Sequence, residues 1–126
     1  MKIYISGPIT GIINRNKPAF QKAQREILAI FKTLKINKAK IFNPVKYGYK
    51  LDKKFNLSGK IPVWEDYMKM CIKELCDSTF IFFLPGWAIS DGAILEKYIA
   101  KRLNIPCAET IEELKKLIKG FDHANN

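Results

Sequence analysis

Histidine, cysteine and arginine are scarce in this chain of 126 residues, and each scarcity removes a class of function. The one histidine, His123, stands near the C-terminal end, and Cys71, Cys76 and Cys107 show no paired spacing, so neither a metal site nor a cofactor is expected. An odd number of cysteines, two of them in a helical pattern, argues against a disulfide framework and for a reducing cytoplasm, with the thiols as small core residues. No apolar run reaches the roughly 20 residues that span a membrane. The opening residues run straight into a strand pattern instead of a signal peptide's apolar region. Arginine is limited to Arg15, Arg25 and Arg102, although Lys and Arg together number 22 against 12 acids, a net charge of +10. Base and phosphate recognition favours the guanidinium fork, whereas lysines spread over every helix and loop describe a solvated surface. The charge invites a nucleic-acid partner as a third reading, but its dispersed lysines weigh against that partner and are compatible with a small phosphate-bearing ligand.

What is present is a single α/β domain over residues 1–126, since one core suffices at this length. Residues 2–6 form a β-branched apolar run stopped by Gly7-Pro8, the pattern of a buried strand. Asn16 is placed as an N-cap with Pro18 in the first turn, and Phe20, Ala23, Ile27, Ile30, Phe31 and Leu34 recur at helical spacing. A second strand over 40–43 ends at Asn43-Pro44, and a long loop is expected from residue 45 to about 62. Residues 63–76 read as a helix, 79–84 as a strand buried on both faces, 91–103 as a helix capped by Asn104, and 105–108 as a last strand. Thr110 starts a final helix that stops at Gly120, leaving residues 121–126 as a frayed tail. Strand and helix alternate, which predicts a small Rossmann-like or flavodoxin-like parallel sheet of order 2-1-3-4 with helices on both faces. Ligands of such sheets bind where the strand order reverses, here between strands one and three.

The loops that leave those two strands carry the chemistry. Ser6-Gly7-Pro8-Ile9-Thr10-Gly11 offers hydroxyls, free amides and glycines, like an anion or sugar cradle, although a plain strand-ending turn accounts for it equally. Ser90-Asp91-Gly92 opens a helix, where capping and ligand contact are both served. Trp87 follows Pro85-Gly86 and is placed to stack on a base or to form the rim of a site. Glu96 is the anomaly. With about 100° per residue it falls inside the stripe of Ala93, Leu95, Ile99, Ala100 and Leu103, and a carboxylate there is costly unless it is paired or opens into a cleft. A functional carboxylate and a core pair with Lys or Tyr are the two ways to account for it.

The opening KIYISGPITG, the Asn43-Pro44 step, the WEDYM run and above all LPGWAISDGAILEKYIAKRLNIP resemble the nucleoside 2-deoxyribosyltransferase-like superfamily, in its small branch from phages and bacteria. The resemblance covers about residues 1–108. It implies a nucleoside or nucleoside 5'-monophosphate as substrate and Glu96 as nucleophile at the sugar's anomeric carbon, with Tyr4 beside it. It also implies that Ser6, Gly7, Thr10 and Gly11 form the sugar or phosphate cradle, that Ser90 and Gly92 form its second half, and that the chain forms a homodimer. Relatives carry an aspartate that protonates the leaving base where this chain has Lys69 or Met70. Glu65, at the edge of its helix's apolar stripe, is the better substitute, ahead of Asp66.

Overall fold

The computed structural model describes residues 1–125. Four parallel strands, β1 (Lys2–Ser6), β2 (Lys40–Phe42), β3 (Phe80–Phe83) and β4 (Cys107–Ala108), form one sheet in the order β2-β1-β3-β4. Parallel neighbours require crossovers. These are supplied by α1 (Lys17–Thr33), by α2 (Pro44–Leu57) with α3 (Trp64–Cys76), and by α4 (Asp91–Arg102), while α5 (Ile111–Ala124) closes the chain. The α/β class and the strand order are those predicted from the alternation.

The period of two along each strand divides the core into two layers. Ile3 and Ile5 of β1 pack with Phe80 and Phe82 against Phe20, Ile27 and Ile30 of α1 and Leu114 and Ile118 of α5. Tyr4 points to the other face, with Phe42, Ile81 and Phe83, where Cys71 and Leu75 of α3 and Ala100 of α4 cover it. Ser6 shares the parity of Tyr4. Two hydroxyls are thereby delivered, one above the other, to the face that carries α4.

The loop expected over 45–62 is overturned, because α2 occupies Pro44–Leu57. Asn43 ends β2 and in the same position caps α2: its Oδ1 accepts from the amides of Val45 at 3.1 Å and Lys46 at 3.4 Å. Pro44 occupies the first turn, where a missing N–H costs nothing. Asn43 is itself buried and its Nδ2 donates to Gln24 Oε1 at 3.0 Å, which ties α2 to α1. Asn43→Ala is expected to destabilise the fold by about 1–2 kcal/mol, read as a lower urea midpoint at unchanged slope.

Three smaller expectations also change. Asn16 stands at the N-cap position of α1 as expected, but its side chain makes no capping bond; its Nδ2 donates instead to the Pro8 carbonyl at 3.0 Å. The tail does not fray at residue 121: α5 runs through Gly120 to Ala124, with Phe121 edge-on to Phe80 at 5.9 Å, and Asn126 lies outside the described residues. Cys71 is a core residue as expected, whereas Cys76 is exposed. No helix among the described residues is long and apolar enough to cross a membrane.

Candidate active site around Glu96

After β3 the chain makes a single 3₁₀ turn, Trp87–Ile89, and enters α4 through Ser90, whose Oγ accepts from the amide of Ala93 at 3.2 Å. The face that α4 buries is narrower than its hydrophobicity suggests. Ala93, Glu96 and Ala100 are buried, while Leu95 and Leu103 face outward, contrary to the stripe read from sequence. The two alanines have little volume, so α4 can lie close to the sheet, and Glu96 reaches down to β1.

Glu96 is 5% exposed. The Tyr4 hydroxyl donates to its Oε2 and the Ser6 Oγ donates to its Oε1 at 2.8 Å. No ion pair among the described residues involves Glu96, so a core pair with lysine is excluded as the reason for its burial, whereas Tyr4 is the core partner that the other half of that alternative named. Neutral donors recover only part of a carboxylate's hydration. Burial therefore raises the Glu96 pKa to about 7, with the Tyr4 and Ser6 hydrogen bonds pulling in the opposite direction. Burial and the neighbouring carboxylate push the Tyr4 hydroxyl well above its ordinary value, so it remains a donor.

Glu96 and Tyr4 line a cavity of about 180 Å³ at the carboxyl ends of β1 and β3. One wall is the first loop, with Gly7, Ile9 and Thr10, and the opposite wall is the start of α4, with Ser90, Asp91 and Gly92. Pro44, Val45 and Gly48 of α2 and Trp64, Tyr67, Met68 and Cys71 of α3 close the remaining sides. The two loops singled out in the sequence do converge on one cleft. Gly7 is there because a Cβ would stand 2.9 Å from the Leu84 Cβ, too close for the first loop to lie against the end of β3. Gly92 likewise faces Met68 Sδ, which a Cβ would approach to 3.3 Å.

Other residues named from sequence lie elsewhere. Glu65 is exposed and does not line the cavity, which corrects its placement as a proton donor, and Asp66 is engaged at the Val63 amide at 2.9 Å. Trp87 packs on Phe83 with ring centroids 5.4 Å apart and donates from Nε1 to Glu109 at 2.7 Å, so it belongs to the sheet's flank and is absent from the cavity wall. Gly11 is exposed in a left-handed turn, φ +80°, also outside the cavity.

Arg15 is the cavity residue that sequence reasoning missed. Asn14, Arg15 and Asn16 have φ of 57°, 54° and 58°, three successive left-handed residues without a glycine among them. This turn brings Arg15 Nη1 to 2.8 Å from Asp52 Oδ2, and the Tyr67 hydroxyl donates to the other oxygen of Asp52. Left-handed non-glycine backbone is costly and persists where the surroundings hold it. Here the Asp52 pair and stacking on Tyr49 at 4.8 Å hold it.

Tyr4→Phe removes the donor to Oε2 while keeping the ring stack on Phe42 at 5.3 Å. The Glu96 pKa is expected to rise further from about 7. NMR titration of a 13C-labelled Glu96 carboxyl checks this; an unchanged or lower midpoint contradicts the role given to Tyr4.

The family described as "Domain of unknown function (DUF4406)" matches residues 1–109, and the chain belongs to it. No curated protein and no solved structure matches the chain.

Proposed function

We propose that this member of the DUF4406 family cleaves, or transfers at, the N-glycosidic bond of a (deoxy)nucleoside or nucleoside 5'-monophosphate, with Glu96 as nucleophile. The observation that carries the reading is a buried carboxylate with no cationic partner among the described residues, held at both oxygens by hydroxyls and lining a cavity at the sheet's switch point. Cleavage builds oxocarbenium character on the sugar. Glu96 attacks the anomeric carbon, the C–N bond breaks with its electron pair passing to the base, and the base takes a proton. Water or a second base then displaces Glu96 from the sugar. Asp91 is the other carboxylate on the cavity wall, exposed at its mouth, and in this reading the leaving base takes its proton from water there. Thr10, the amides of the first loop and the Ser90–Gly92 turn hold the sugar or its 5'-phosphate. The reading calls for no metal.

To this reading we add the homodimer that the family resemblance implies and the cytoplasmic location expected from the cysteines. Ile94, Leu95 and Tyr98, exposed together on the outer face of α4, support a second copy there. Asp91 is exposed, so no second buried acid accompanies Glu96. That observation favours, as the alternative, a module that binds the nucleotide without turning it over. Chromatography of a panel of nucleosides and 5'-monophosphates incubated with the protein tests both. Free base from at least one member is expected; tight nucleotide binding in calorimetry with no base over hours selects the binding module.

A further inference from the structure

Beside the Glu96 cavity, on the far side of the first turns of α2, lies a groove of about 530 Å³ between α1 and α2. Val45 borders both. The groove is lined by Lys17, Arg25 and Lys46 together with Gln21, Gln24, Asn43 and Tyr49, and no carboxylate is among the described residues that line it. None of the three cations is in an ion pair among the described residues, whereas Arg15 in the cavity is neutralised by Asp52. The N-terminus of α2, capped by Asn43, adds its positive end to the same place. One ring joins the two spaces: Arg15 lies 4.8 Å and Lys17 5.7 Å from the Tyr49 centroid. Lys17, Arg25 and Lys46 thus form a patch of uncompensated positive charge that begins beside the Arg15–Asp52 pair.

We infer that the groove between α1 and α2 is a polyphosphate subsite, and that the preferred substrate of the Glu96 cavity is a nucleoside di- or triphosphate. This rests on the N-glycosidic reading for the position of the sugar. With the sugar at Glu96 and the first phosphate at the first loop, the chain next leads through Arg15 to the groove, where the second and third phosphates meet uncompensated cations. Three exposed cations acting together on a polyanion are strong enough to shift a dissociation constant about tenfold.

The test compares KM for base release from a nucleoside monophosphate and its triphosphate in the wild type and in the triple variant K17A/R25A/K46A. Inorganic tripolyphosphate is titrated calorimetrically into both proteins. The triphosphate KM is expected about tenfold below that of the monophosphate, the triple variant to reduce that preference below twofold, and tripolyphosphate to bind the variant about tenfold more weakly. The charge-conserving variant K17R/R25K/K46R should keep the preference. Equal KM values in the wild type, a preference that survives the alanine variant, or a single-stranded oligonucleotide turned over ahead of the triphosphate overturns the inference. If no nucleotide releases base, the N-glycosidic reading fails by itself, and the tripolyphosphate titration alone decides the groove.

Discussion

Glu96→Gln is expected to slow base release by a factor on the order of 10³ or more while leaving nucleotide binding near its wild-type strength. The amide has the shape of the carboxyl group. Its carbonyl oxygen can accept from Tyr4, and the Ser6 hydroxyl can rotate to accept from its NH₂, so neither polar atom is orphaned. What disappears is the nucleophile and its negative charge against the developing oxocarbenium ion. The loss should therefore fall on kcat. The wild type should show a matching pH dependence: the nucleophile must be ionised, so kcat/KM rises with pH through the Glu96 pKa of about 7 and then levels. Single-turnover chromatography of released base across pH 5 to 9 reads both effects. A variant that keeps a tenth of wild-type activity removes Glu96 from the nucleophile's place. A profile that falls through pH 7 makes it an acid.

The parts of this site that follow a period were legible in the sequence. Helical rotation put Glu96 on the buried side of α4 and the strand order brought the loops after strands one and three together, so their meeting with an odd carboxylate could be argued before any coordinates, whereas Tyr4 entered only through the family resemblance. The parts that depend on a single residue serving two elements were not. Asn43-Pro44 is a strand stop and equally a helix start, and reading it only as a stop hid α2, which supplies one wall of the cavity and the partner of Arg15. Arg15 itself sits in a turn of three left-handed non-glycine residues, and although Asn14 and Asn16 tolerate that conformation, no local preference announces it for the arginine between them. Tyr67 and Met68 lie in the helix expected over 63–76, and helical spacing marks burial without distinguishing a packed interior from a cavity wall. The same ambiguity explains Leu95 and Leu103. Hydrophobicity widened the apparent stripe, whereas packing chose the small Ala93 and Ala100 that let α4 approach the sheet.

Glu96→Gln is also expected to stabilise the protein, and the size of the gain should depend on pH. A carboxyl group whose pKa is raised by folding, here from 4.5 to about 7, keeps its proton in the native state while the unfolded chain has already lost it. Between these two values the native state binds more protons, so stability falls as pH rises; below pH 4.5 and above pH 7 this group adds no further slope. At about 1.4 kcal/mol per pH unit, the ionised Glu96 costs about 3 kcal/mol relative to its protonated form. Glutamine is neutral at every pH and mimics the protonated carboxyl. The variant should therefore match the wild type near pH 4.5 and exceed it by about 3 kcal/mol at pH 8, a rise in Tm of about 10 °C for a domain of this size. Taking the difference between the two proteins cancels the titration of every other carboxylate. Urea unfolding at both pH values measures it, and an equal difference at pH 4.5 and pH 8 shows that Glu96 carries no such penalty. A stabilising substitution that also abolishes activity identifies a residue kept against the interest of the fold. That combination separates a catalytic or ligand-holding carboxylate from one retained for packing, for which the same substitution would cost stability at every pH.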